Sequence, residues 1–322
     1  MIPVLTTGDP AGIGPELAVK AWSAQTTPFA LLGCARMMAE MEAVPVEPVR
    51  TVAEAAAAFP SALPVLDRPL PAPVTAGTPT PANAPWIIDL IREGVDLCRA
   101  GGATALVTNP INKKALKDGA GFAFPGHTEY LAALCDVTRP VMMLAGPELR
   151  VVPVTIHIAL AEVPEALTPG LIEETVRVTV AGLQQDFGIP APRLAVAGLN
   201  PHAGEGGAMG GEEIALIAPT LDRLRADGFH IAGPLSADTM FHPEARARYD
   251  AALCMYHDQA LIPLKTLSFA DGVNVTLGLP IVRTSPDHGT AYDIAGQGLA
   301  DPQSLLAALA MAQTMAAHRT AA

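Results

Sequence analysis

The feature that most constrains this chain is a regular exchange of two periodicities. Short apolar runs alternate with segments whose apolar residues recur at helical spacing. Val4-Leu5 leads into GDPAGIGPELAVKAW, where Pro15 suits a first helical turn. Phe29 to Leu32 reads as a second strand, and residues 83–99 place Trp86, Ile87, Leu90, Ile91, Val95 and Cys98 along one helical face. Buried strands are expected at 103–107, 151–156, 194–197 and 251–255. Helices are expected at about 169–187, where Gly188 stops the pattern, and at about 303–317. Such alternation predicts an α/β class with largely parallel strands. Residues 61–81 are proline-rich and read as a surface excursion.

Composition narrows the function. A length of 322 residues suits one large domain or two medium ones, and 16% charged residues against 50% apolar argue for a packed core. Mean hydropathy is +0.32, yet no apolar run approaches the ~18 residues of a spanning helix. The net charge of −12 argues against a nucleic-acid surface. The opening MIPVLTTGDPAG lacks a basic segment followed by an apolar one. Cys34, Cys98, Cys135 and Cys254 form no CxxC pair. The expectation is a cytoplasmic protein with reduced thiols, acting without membrane or nucleic acid.

The polar residues of interest follow strands, where open α/β sheets bind their ligands. His157, His202 and His257 each lie at or just past a strand's carboxyl end. Three dispersed imidazoles could hold a catalytic metal with one position open; taken singly, each could equally be a hydrogen-bonded structural histidine. Asp238, in GPLSADTMF, could be a further ligand or orient one. His230, His242 and His318 lack such settings and read as surface or structural residues. Lys265 and Arg283 stand out as cations in an acidic chain with only five lysines, and arginine grips carboxylate or phosphate with two prongs. His127 and Thr128, in FPGHTEY, sit at an expected helix N-terminus, a place for an anion or for Thr128 to serve as N-cap. GDPAGIGPE spaces its glycines as G-x-x-x-G-x-G, which is not the dinucleotide order G-x-G-x-x-G, and reads alone as a strand-to-helix turn.

Seven blocks, in order along nearly the whole chain, carry a resemblance: TTGDPAGIGPE, VTNPINK, FPGHTEYL, GLNPHAGEGGAMGGEE, GPLSADTMF, MYHDQALIPLK and GVNVTLGLPIVRTSPDHGTAYDIAGQG. Together they resemble the 4-hydroxythreonine-4-phosphate dehydrogenase family of pyridoxal 5′-phosphate biosynthesis. The resemblance implies a two-domain α/β subunit of the isocitrate/isopropylmalate dehydrogenase type, with the active site in the interdomain cleft. Residues 1–120 with 275–322 would form the cofactor-side domain, and 121–274 the metal, substrate and dimerisation domain. It implies a homodimer whose active site takes residues from both subunits.

The same resemblance implies metal ligation by His157, His202 and His257, and substrate contacts from His127, Thr128, Lys265, Asn274 and Arg283. SPDHGTAYDIAGQG is similar to the cofactor loop of the isocitrate and isopropylmalate enzymes, so His288, Gly289, Thr290 and Asp293 would bind NAD or NADP, with the glycine turn nearby. Imidazole ligands suit zinc or cobalt better than magnesium. The implied reaction oxidises 4-phosphooxy-L-threonine at C3 to 2-amino-3-oxo-4-(phosphonooxy)butanoate, which decarboxylates to 3-amino-2-oxopropyl phosphate. A metal would acidify the C3 hydroxyl and then stabilise the enolate; Asp238 or Lys265 would take the hydroxyl proton. The alternatives are a related dehydrogenase of D-threonate or D-erythronate 4-phosphate, one of an aromatic cis-dihydrodiol carboxylate, and a non-catalytic ligand-binding homologue.

Overall fold

The computed structural model describes residues 1–321. Its strands are β1 (Val4–Thr6), β2 (Ala30–Gly33), β3 (Val46–Val49), β4 (Leu63–Asp67), β5 (Leu106–Thr108), β6 (Val141–Ala145), β7 (Arg150–Pro153), β8 (Arg193–Ala197), β9 (His230–Leu235), β10 (Ala251–Cys254), β11 (Val273–Leu277) and β12 (Arg283–Pro286). The chain divides into two compact units, 1–140 with 279–322, and 141–278. Among the described residues no helix is long and apolar enough to cross a membrane.

In the first unit the strand order is β3-β4-β2-β1-β5-β12, all parallel. Side chains alternate across it. Val4, Ala30, Leu32 and Leu106 face a cluster built on Trp86, Ile87, Leu90 and Ile91 of the helix Ala84–Arg99. That helix can lie close because Gly94 meets the Leu106 side chain, where a Cβ would stand 2.6 Å from Cδ1. Leu5, Leu31 and Val107, also fully buried, belong to the opposite face. The final helix, Gln303–Ala321, packs on β12, with the Thr284 hydroxyl donating to the Ala308 carbonyl at 2.8 Å.

The second unit has the order β11-β6-β7-β10-β8-β9. β6 runs antiparallel to β11 and β7, and the pairs from β7 to β9 are parallel. Leu144, Val151, Ala195, Ala252 and Cys254 pack against Leu261 and Leu264 of the helix His257–Leu267. Leu277 meets Gly182 of the helix Pro169–Gln185, where a Cβ would stand 2.8 Å from the leucine side chain.

Two expectations need correction. The proline-rich stretch is not all excursion, because Leu63–Asp67 is a strand with Leu63 and Val65 fully buried. Pro64 is tolerated there because it lies second in the strand, before the register with β2 begins at Val65. Residues 121–140 pack with the first unit: Phe122, Tyr130, Leu131 and Cys135 join the cluster under the helix Ala84–Arg99. Residues 275–278 stay with the second, since β11 pairs with β6 along its whole length.

Leu106 is central to the first cluster and fully buried. Leu106→Ala should destabilise the protein by about 2–5 kcal/mol, read as a lower denaturation midpoint in urea with an unchanged slope.

Candidate active site

The first unit places the cations Arg283 and Lys113 near His127. Arg283, on β12, is 3% exposed, and its Nη2 donates to the Thr108 hydroxyl at the end of β5, at 2.7 Å. Burial pulls its guanidinium down to about 10, so it is charged at neutral pH. His127 opens the helix His127–Leu134, and its Nε2 is buried without a hydrogen-bond partner. Burial above all, then the positive charges of Arg283 and Lys113, hold this imidazole well below its ordinary value. It is therefore neutral at pH 7. A desolvated guanidinium beside an imidazole with an open nitrogen is an anion receptor, since each gains more from a charged acceptor than water would give it. Thr128 is half-buried inside the first turn and is not the N-cap: Gly126 holds that position and makes no side-chain cap. The Asn109 side chain, 0% exposed after β5, keeps its Oδ1 unpartnered as well.

The C-terminal loop of the same unit follows β12. His288 Nδ1 lies 3.1 Å from the Gly289 carbonyl, and its Nε2 is buried without a partner. An open buried imidazole nitrogen of this kind fits a polar cofactor. Thr290 is half-buried and Asp293 exposed. The glycine turn packs against this loop, with the Ile13 N–H donating to the Thr290 carbonyl at 3.1 Å.

In the second unit, β7, β10 and β8 deliver the three histidines. His157 lies four residues past β7 and His257 three past β10. Their ring centroids are 5.8 Å apart, and both line a cavity of about 240 Å³ with Thr155, Val163 and Tyr256. His257 Nδ1 is 2.7 Å from Asp258 Oδ1, an arrangement that fixes the ring and reserves Nε2 for another partner. Two imidazoles at metal–nitrogen distances of about 2.0–2.1 Å on one tetrahedral ion place their centroids about 5–6 Å apart. The pair therefore fits a divalent metal.

His202 does not join them within one chain. Among the described residues no three His, Cys, Asp or Glu side chains converge. It stands after β8 in a left-handed turn, His202–Gly206, where φ runs 52°, 51°, 77°, 41° and 65°. Residues with a Cβ hold such a backbone only when their surroundings impose it. Glu213 does so. Its Oε1 accepts from the Asn200 N–H at 2.8 Å and its Oε2 from the Asn200 amide at 3.0 Å. Gly204 leaves room for that carboxylate, since a Cβ there would stand 2.6 Å from Oε2. Burial raises the Glu213 pKa, but the Asn200 backbone and amide donors with those of Glu213 and Leu199 outweigh it and hold the carboxyl below its ordinary value.

The other expected residues are spread through this unit. Asn274, on β11, has a buried unpartnered Oδ1. Lys265 is half-buried on the helix His257–Leu267. Asp238 is exposed in the turn Ala237–Thr239 and accepts from the Ser236 hydroxyl. Sequence reasoning missed Thr108, Asp258 and Glu213. Adjacency to His257 could have flagged Asp258; nothing in the sequence marks Thr108 as the acceptor for Arg283.

A two-unit α/β chain with its polar groups at strand ends, an anion receptor in one unit and an imidazole pair in the other, is built as an enzyme for small anionic molecules. Residues 25–312 match the family of the pyridoxal phosphate biosynthetic protein PdxA, and the chain belongs to that family. It is 59% identical to the 4-hydroxythreonine-4-phosphate dehydrogenase of Paracoccus denitrificans, with 98% of each chain covered. A crystal structure of that enzyme from Klebsiella pneumoniae superposes with a TM-score of 0.90 at 39% identity, over 98% of each chain. A terephthalate 1,2-cis-dihydrodiol dehydrogenase from Burkholderia xenovorans LB400 is more distant, with a TM-score of 0.67 at 31% identity, over 98% of each. The fold is the isopropylmalate dehydrogenase-like α/β fold of the family.

The lowered pKa of Glu213 means that its contribution to stability is complete above the unfolded carboxylate value and is lost as pH falls through the folded one. The turn at 202–206 should therefore loosen as pH falls below the ordinary carboxylate range, seen as a lower hydrogen-exchange protection factor for the Asn200 amide relative to its intrinsic rate at the same pH. Glu213→Gln should exchange faster at neutral pH and lose that acid step.

Proposed function

We propose that this chain oxidises 4-phosphooxy-L-threonine with NAD or NADP to 2-amino-3-oxo-4-(phosphonooxy)butanoate. This β-keto acid then loses carbon dioxide to give 3-amino-2-oxopropyl phosphate. Family membership supports the reaction and its nicotinamide cofactor. The observation that ties the reaction to particular residues is the buried Arg283 guanidinium beside the open nitrogen of His127, a receptor suited to the substrate's anionic groups.

In this reading Arg283, His127, Thr128, Asn274 and Lys265 bind substrate. His127 can donate while uncharged, so it adds direction to the charge that Arg283 supplies. Asp238 or Lys265 takes the proton of the C3 hydroxyl. His288, Gly289, Thr290 and Asp293 bind the nicotinamide cofactor, which makes the first unit the cofactor side. The second unit is the metal and dimerisation side. A divalent ion held by His157, His202 and His257 (zinc, cobalt or magnesium) would supply Lewis acidity at the C3 oxygen during both oxidation and loss of carbon dioxide. Asp258 orients the His257 ring, and Ile158 and Leu160 line the cavity beside it.

The active form in this reading is a homodimer with a shared site. Most exposed large apolar side chains lie on the second unit, including Ile158, Leu160, Met209, Ile214, Ile262 and Phe269. Phe269 is 84% exposed, an expensive placement for an apolar ring unless a second copy covers it. Ile158 and Leu160 also line the His157/His257 cavity, so a partner docked there would border the imidazole pair. In this reading the three histidines meet on one ion across that interface.

Arg283→Met should lower kcat/KM for 4-phosphooxy-L-threonine by about 100-fold or more; an unchanged value removes Arg283 from the site. His202→Ala should bind no zinc in a dye-competition titration and show no turnover. Wild-type protein dialysed against chelator should lose activity and recover it with zinc, cobalt or magnesium. Full activity after chelation overturns the metal assignment.

A further inference from the structure

The loop that follows β12 bonds to itself beyond Ala291, with the Ile294 N–H donating to the Ala291 carbonyl at 3.2 Å, and is tied on both sides of Ala291 to a second segment. Ala291 has φ 42°, a left-handed conformation that a residue with a Cβ keeps only under outside constraint. The constraint comes from the turn after β1. On one side of Ala291 the Thr290 carbonyl accepts from the Ile13 N–H at 3.1 Å. On the other, the Tyr292 hydroxyl donates to Asp9 Oδ2 at 2.6 Å.

Asp9 is itself immobile. It is 3% exposed, its Oδ1 accepts from the Ala11 N–H at 3.0 Å, and its own N–H donates to the Pro110 carbonyl at 2.9 Å. The backbones meet closely enough to require glycine. A Cβ on Gly12 would stand 2.8 Å from the Thr290 carbonyl oxygen, and one on Gly77 2.8 Å from that of Tyr292. Burial and the Asp9 charge both push the Tyr292 phenol above its ordinary value, so it stays the donor. Further along, Glu16 accepts from the N–H groups of Ala300 at 2.9 Å and Gly298 at 3.2 Å, closing the far end of the same loop.

We propose that Tyr292 and Asp9 are positioning residues for the nicotinamide cofactor: their hydrogen bond keeps Ala291 left-handed and so sets where His288, Gly289, Thr290 and Asp293 stand. The proposal rests on the reading of those four residues as the cofactor's. It gives the glycine turn a role that its own spacing did not disclose, as the anvil against which the cofactor loop is shaped.

The test is a fluorescence titration of NADH into wild type, Tyr292→Phe, Asp9→Asn, the double variant and His288→Ala. Loss of a hydrogen bond to a buried carboxylate should raise the NADH Kd about tenfold in either single variant. The double variant should cost less than the sum of the singles, because both break the Tyr292–Asp9 bond. KM for NAD should rise in parallel, while KM for 4-phosphooxy-L-threonine stays within about twofold. If both KM values rise together, the pair is merely structural and the proposal falls. If His288→Ala weakens NADH binding and Tyr292→Phe does not, the positioning role fails and the cofactor reading stands. If neither variant alters NADH affinity, the cofactor reading itself is wrong. Tyr292→Phe removes a single oxygen, so it carries the test even if Asp9→Asn folds poorly.

Discussion

Parallel pairing is the constraint on which the rest depends. Strands that run the same way put their carboxyl ends on one edge, and the loops leaving that edge are the ones free to carry polar groups. In the first unit those loops follow β1, β5 and β12 and hold Asp9, Asn109 and His288. In the second they follow β7, β10 and β8 and lead to His157, His257 and His202. Arg283 opens β12 opposite Leu106 and so reaches Thr108 at the end of β5, and His157 meets His257 because both follow the paired strands β7 and β10. In both cases about a hundred residues or more separate the partners along the chain.

The two units use their polar groups differently. The first removes water: Arg283 is buried and His127 is held neutral by burial and neighbouring charge. Low polarisability around a cation makes an incoming anion worth more there than at the surface. The second keeps its imidazoles accessible and constrains the backbone instead. His157 at φ 53° and His202 at φ 52° sit where a Cβ costs about 1–2 kcal/mol. The Glu213 carboxylate, bonded to Asn200, offsets that cost for the turn carrying His202. Desolvation suits recognition of charge, whereas ligation needs a lone pair that can reach an ion.

Several features were legible in the residues. The helix Ala84–Arg99 and the strands β2, β7, β8 and β10 fall where apolar spacing places them, to within a few residues. The strand-end positions of the histidines were equally visible. Others were hidden for physical reasons. β4 lies inside a proline-rich stretch, and only its register shows that Pro64 does no harm. Thr128 looked like a cap, but the helix begins at His127, with Gly126, two residues before Thr128, as its N-cap. Thr108, Glu213 and Tyr292 carry no local signature, because their partners come from other strands and loops.

What the sequence determined by itself was the α/β class, through the alternation of two periodicities, and the inventory of donor atoms: three imidazoles after strands, and Lys265 and Arg283 as cations in an acidic chain. These are local properties, set by side-chain type and spacing. The tertiary structure decided which donors lose their water, which find partners and which stay open. His127 is held neutral by burial and by Arg283 and Lys113, His157 and His257 come together while His202 stands apart, and Ala291 is held left-handed by a turn nearly three hundred residues away. Desolvation and pairing are properties of the space around an atom, and only the folded chain defines that space.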